Sequence, residues 1–184
     1  MAEKFELFGS PDLKARFDAA YQAVLNQWPV PYEELTISTR FGATHVIASG
    51  QREAPPVVLL PPGGSYAPMW VRNVGPASQS YRTYAVDIIG ELRAIGKVAG
   101  ARYRPTINSA VPRIFSDEEL LKIRTPVLLL IGDHEVIYKP EKAIRRATRL
   151  VSGLKAEIVP GANHSAQYTA PDFVNARILE FLAD

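Results

Sequence analysis

Val127 to Ile131 is an unbroken apolar run of strand length, introduced by Pro126 and closed by Gly132. A strand that is apolar on both faces needs cover on both sides, which is the habit of parallel sheets flanked by helices. Asp133, His134 and Glu135 follow directly. In open α/β sheets, ligands and chemistry gather just past the carboxyl ends of the strands. After a helix and a further strand, His164 takes a similar place in Gly161-Ala162-Asn163-His164. An acid and a histidine behind two successive strands are two members of a nucleophile–histidine–acid triad. The third member has to be sought elsewhere in the chain.

The remaining pattern supplies the rest of an α/β domain. Ser10-Pro11-Asp12 is a helix start, and Leu13, Phe17, Tyr21, Val24, Leu25 and Trp28 predict one docked helical face over residues 11 to 28, ended by Pro29 and Pro31. Glu34 to Thr39 and Thr44 to Ala48 predict a hairpin, within which His45 reads as a sheet residue rather than a catalytic one. Val57 to Leu60 predicts a buried strand running into Pro61-Pro62-Gly63-Gly64-Ser65. The two glycines there either present backbone N–H groups to an anion or simply turn the chain into a helix. Met69 to Ser80 predicts that helix, interrupted at Gly75-Pro76, and Thr83 to Ile89 predicts a strand with Asp87 near its end.

Residues 91 to 104 are basic and lack an amphipathic period; Gly96 and Gly100 form neither G-x-G-x-x-G nor a Walker sequence, so the stretch reads as a solvated connection. Ser116-Asp117-Glu118-Glu119 caps a short helix through Ile123. Pro140 opens a helix with Ala143, Ile144, Ala147, Leu150 and Val151 on one face, ended by Gly153. Ala156 to Val159 is the next strand, and Thr169-Ala170-Pro171-Asp172 resembles a capping box for a final helix burying Phe173, Val174, Ile178, Phe181 and Leu182. Strands alternating with helices predict a mostly parallel sheet with right-handed crossovers.

The 184 residues suit one domain, 1–184, made of an N-terminal half (1–90), a connection (91–115) and a C-terminal half (116–184). A net charge of +2 gives no electrostatic reason for a nucleic-acid or membrane partner. The start MAEKFELFGS is unlike a signal peptide, and the absence of cysteine excludes disulfides and thiol nucleophiles, so a cytoplasmic location is expected. No cofactor is expected. His134 and His164 lack metal-ligand spacing, so no metal is expected either.

VVLLPPGGSYAPMW, YRTYAVDIIG, TPVLLLIGDHEVIY and VPGANHSAQYTAPDFVNARILEFL resemble, in content and order, the blocks of an α/β-hydrolase of the carboxylesterase-like branch. The resemblance spans nearly the whole chain. It implies that His164 is the triad histidine, that Glu135 is the acid with Asp133 in reserve, and that Gly63 and Gly64 lie in the oxyanion turn. Pro61-Pro62 stands where the family has a His-Gly pair.

The family's nucleophile sits in G-x-S-x-G on a strand-to-helix elbow, and that sequence occurs nowhere here. Gly90 runs to Ser116 by a short connection where the family has further strands, the elbow and a cap, so a shortened core lacking them is expected. Removing central strands exposes apolar sheet edges, which predicts self-association unless the sheet re-closes. Of the remaining serines, Ser65 has an address near strand ends, whereas Ser109 lies in the connection and Ser165 adjoins His164. Three functional expectations stand side by side: a weak or inactive hydrolase of carboxylic esters, a non-catalytic module binding an ester or acyl ligand, and a core without function of its own.

Overall fold

The computed structural model describes residues 10–40, 42–88 and 113–184. The connection at 91–104 and Ser109 lie outside the described residues. The chain forms two compact units, Met1–Val111 and Pro112–Asp184.

In the first unit α1 (Pro11–Leu25) begins where Ser10 Oγ accepts the Leu13 N–H at 3.2 Å. Its buried residues Phe17 and Leu25 lie on the predicted apolar face. β1 (Tyr32–Thr39) and β2 (Gly42–Ser49) form the expected hairpin, paired from Tyr32–Ser49 to Thr39–Gly42. β2 then pairs antiparallel with β4 (Arg82–Val86), which pairs parallel with β3 (Pro56–Leu59). The sheet order is β1-β2-β4-β3. One sheet face closes a core of Leu25, Trp28, Ile47, Ala67, Val74 and Ala85. There the Trp28 indole N–H donates to Ser49 Oγ at 3.0 Å, so the buried polar ends satisfy each other. Among the described residues β3 is an edge strand, with Val58 and, just beyond it, Leu60 more than half exposed.

The helix predicted over 69–80 is two pieces, a 3₁₀ segment at Ala67–Arg72 and a single α-turn, α2, at Val74–Ala77. Pro76 has no N–H to continue a helical ladder from the preceding turn, so the chain restarts at Asn73.

In the second unit α3 (Asp117–Leu120) carries a complete capping box between Ser116 and Glu119. β5 (Val127–Gly132) pairs parallel with β6 (Leu154–Val159), and α4 (Pro140–Leu150) connects them. α5 (Ala166–Thr169) and α6 (Pro171–Ala183) follow. The core here is Val159, Ala162, Ala166 and Val174, with Leu130, Phe173 and Ile178 packed against it. Both sheets are flanked by helices, and parallel and antiparallel pairings occur, so the class is mixed α/β.

Two further local expectations change. The β5 run is half-buried over Val127–Leu130 and fully buried only at Ile131 and Gly132, because among the described residues β6 is its single ladder partner. Thr169 does not cap α6: the N-cap is Ala170, with no side-chain cap bond, and the Thr169 hydroxyl is engaged with the His164 loop instead. Among the described residues no helix is long and apolar enough to cross a membrane.

Candidate active site

The second unit brings the C-terminal ends of β5 and β6 together closely enough to exclude any side chain at Gly132. A Cβ there would lie 2.1 Å from the Ala162 carbonyl oxygen. Backbone bonds stitch the two loops, from Asp133 N–H to Val159 O at 3.2 Å and from His134 N–H to Ala162 O at 2.9 Å. Gly161, with φ of +69°, makes the turn that starts the second loop.

Glu135 and His164 meet across this seam, with His164 Nδ1 2.6 Å from Glu135 Oε2. The other carboxylate oxygen accepts the Ile137 N–H at 2.7 Å. The Glu135 side chain is 2% exposed and the His164 ring 55% exposed. The Ile137 N–H, with the His164 ring adding to it, holds the Glu135 carboxyl below its ordinary value of 4.5, against the opposing effect of desolvation. An ionised acid facing Nδ1 fixes the tautomer with the proton on Nδ1 and the lone pair on Nε2. Among the described residues no group bonds Nε2.

His164 is held from behind by Asn163, Ser165 and Thr169, in a role the sequence did not assign to them. Asn163 Oδ1 accepts the Ser165 N–H at 2.9 Å. Thr169 Oγ1 accepts the Asn163 N–H at 3.3 Å and donates to Ser165 O at 3.2 Å. Only the asparagine next to the histidine hinted at such a turn, since Asn side chains bond backbone two residues on.

Asp133, the reserve acid, has a different partner. Its Oδ2 accepts the Gly161 N–H at 3.1 Å, and that bond holds its carboxyl below the ordinary 3.8. It acts as a brace between the loops. His134 is largely exposed, 3.7 Å from Asp133 Oδ1. Among the described residues no three His, Cys, Asp or Glu side chains group as metal ligands.

Gly63, Gly64 and Ser65 belong to the first unit, and Glu135 and His164 to the second. Gly64 has φ of +79° and Ser65 N–H donates to Pro62 O at 3.1 Å, which makes the segment a tight turn. Ser65 Oγ contacts Met69 Sδ at 3.4 Å.

A second polar cluster, absent from the sequence reading, surrounds His45 in the first unit. Asp87, directly behind β4, accepts the Ala67 N–H on Oδ1 at 2.7 Å. On Oδ2 it accepts the Tyr21 hydroxyl at 2.6 Å and meets His45 Nδ1 at 2.9 Å. His45 Nε2 lies 3.0 Å from Glu34 Oε2. Both ring nitrogens therefore face carboxylates, which favours the imidazolium: the Asp87 bond raises the His45 pKa above 6.5 although burial opposes it. Burial, reinforced by Asp87, pushes the Tyr21 hydroxyl upward. A ring occupied on both nitrogens has no free lone pair for general-base work. His45 lies in β2, the sheet setting that its sequence implied.

Comparison with known proteins adds the family context. No protein-family model matches the chain. It is 28% identical over 285 residues to carboxylesterase YbfK of Bacillus subtilis, covering 95% of this chain and 96% of that protein. An uncharacterized carboxylesterase, nap, of the same organism is 28% identical over 275 residues, covering 90% and 92%. The crystal structure of YbfK matches with a TM-score of 0.83 at 27% identity, over 93% of this chain and 98% of that one. That of naproxen esterase from B. subtilis matches with a TM-score of 0.85 at 26% identity, over 94% and 99%. The aligned span with YbfK is longer than the 184 residues present here and nears both ends of both proteins.

Proposed function

We propose that this chain, whose homologues are carboxylesterases and whose structural neighbours are α/β-hydrolases, is a carboxylic-ester hydrolase by descent. In this reading it keeps the base and its orienting acid and has lost the segment that bears the nucleophile. The observation that carries the reading is the 2.6 Å contact between His164 and the nearly inaccessible Glu135 carboxylate. A solvent-facing imidazole fixed through Nδ1 is an arrangement suited to a general base. The 285-residue alignment against a 184-residue chain, and the lack of G-x-S-x-G, support an internal loss.

With the serine missing, the chemistry open to His164 is direct activation of water. A water at Nε2 gives its proton to the ring as its oxygen bonds the ester carbonyl carbon. Collapse of the tetrahedral species then breaks the bond to the alcohol oxygen, which takes the proton back from the ring. Without a nucleophile held at hydrogen-bond distance, much of the positional advantage is gone and turnover is weak. Val136 and Ile137, 88% and 67% exposed behind Glu135, favour an ester with an apolar group on the side facing this loop. The likeness to a protein named naproxen esterase also supports a carboxylic ester as the substrate class.

The missing serine motif equally favours a module that binds an ester or acyl ligand without turnover. Hydrolysis of short-chain nitrophenyl esters, compared with His164→Ala in the same preparation, separates the two. A rate above buffer that vanishes in the variant supports the hydrolase. Equal rates in both proteins, with ligand still bound, leave the binding module.

A further inference from the structure

The cluster around His45 joins parts of the first unit that are far apart in sequence. Tyr21 comes from α1, Glu34 from β1, His45 from β2 and Asp87 from the residue directly behind β4. Asp87 also fixes the Ala67 N–H at the head of the 3₁₀ segment, directly behind the Pro61–Ser65 turn. The ionisable groups facing His45 are Asp87, Glu34 and Tyr21, and Tyr66 lies tilted against Tyr21 with 6.2 Å between ring centroids. None of these neighbours is a cation.

A neutral imidazole has one N–H and one lone pair, whereas this geometry offers two acceptors, at 2.9 and 3.0 Å. Only the protonated ring satisfies both. On losing its proton the ring keeps N–H for one carboxylate and turns a lone pair on the other. Asp87 is 7% exposed at its side chain and Glu34 48%, so the buried acid retains the remaining N–H and Glu34 is the contact that breaks. The bond to Asp87 also ceases to be charge-assisted on the donor side and weakens.

We propose that His45 is a proton-operated tie: as an imidazolium between Asp87 and Glu34 it fastens β1, α1 and the segment behind the glycine turn to one another, and loss of the proton loosens them. The tie is independent of the hydrolase reading, because every group in it belongs to the first unit.

The chain has three histidines, so His134→Gln/His164→Gln leaves His45 as the single imidazole for NMR titration. The expected result is a midpoint above the ordinary 6.5, with the Ala67 amide proton shifting along the same curve. Glu34→Gln, which leaves the buried partner in place, should lower that midpoint. His45→Gln should flatten the Ala67 curve over the same range. A His45 midpoint at or below 6.5, an Ala67 resonance that does not follow it, or a Glu34→Gln variant with the parent's midpoint would each overturn the proposal. Because Glu34→Gln spares the Asp87 contacts, it remains decisive if His45→Gln does not fold.

Discussion

Gly132→Ala is the sharpest single test of how the acid and the histidine are held. A Cβ at 132 would stand 2.1 Å from the Ala162 carbonyl oxygen, 2.5 Å from its carbon and 2.6 Å from the Asn163 oxygen, all backbone atoms. Ordinary contact starts at 3.4 Å, so the carbonyl must retreat by the difference, about 1.3 Å, and a packed turn does not yield that far without strain. His164 follows Asn163 directly. Carrying the ring back by the same amount would stretch its 2.6 Å contact with Glu135 to about 3.9 Å, beyond hydrogen-bond reach. Overpacking of this kind costs about 1–3 kcal/mol, which lowers the melting temperature of a chain this size by about 2–12 °C. Calorimetry reads the stability, and the imidazole Nδ1–H resonance reads the contact with Glu135. A variant that melts with the parent and keeps that resonance unchanged would show that the two loops are not pressed together as described.

Three further predictions concern separate parts of the molecule. The Glu135 carboxyl lies below 4.5, so its contribution is fully present above that pH and disappears as pH falls through the lower folded value; acid titration should release the His164 contact only beneath 4.5, and a release at or above it would refute the assignment. Trp28→Phe leaves the buried Ser49 hydroxyl without its indole donor and should cost about 1–3 kcal/mol in chemical denaturation, an unchanged midpoint refuting the role of that bond. Val58→Lys places a charge on the exposed edge strand β3 and should shift any self-associated species toward monomer in sedimentation velocity, an unchanged distribution arguing that the edge plays no part.

Features fixed by neighbours in sequence were legible from the residues themselves. Ser10 caps α1 and Ser116 caps α3 because an N-cap needs only its own turn, and Val127 to Gly132 is a strand because apolar length and a closing glycine are local. That Glu135 and His164 each trail a strand was legible from the apolar runs before them, whereas their pairing was implied only by the family resemblance. The choice against Asp133 was not legible: both acids trail the same strand, and only the Gly161 N–H, supplied by another loop, takes Asp133 out of contention as the partner of His164. Thr169 shows the opposite failure. Its sequence suits a cap, yet a tertiary bond to the His164 loop competes for the same hydroxyl. The His45 cluster was invisible for the same reason, since Tyr21, Glu34, His45 and Asp87 share no period and meet only through the sheet.

The seam between β5 and β6 has a consequence for how such chains change over generations. Its carboxylate, its imidazole and the bonds that orient them are all encoded between Val127 and Thr169. A change confined to residues ahead of Pro112 therefore leaves every residue of these contacts in place. Acid, imidazole and the bonds that orient them form one contiguous stretch of sequence, so they are kept or lost together.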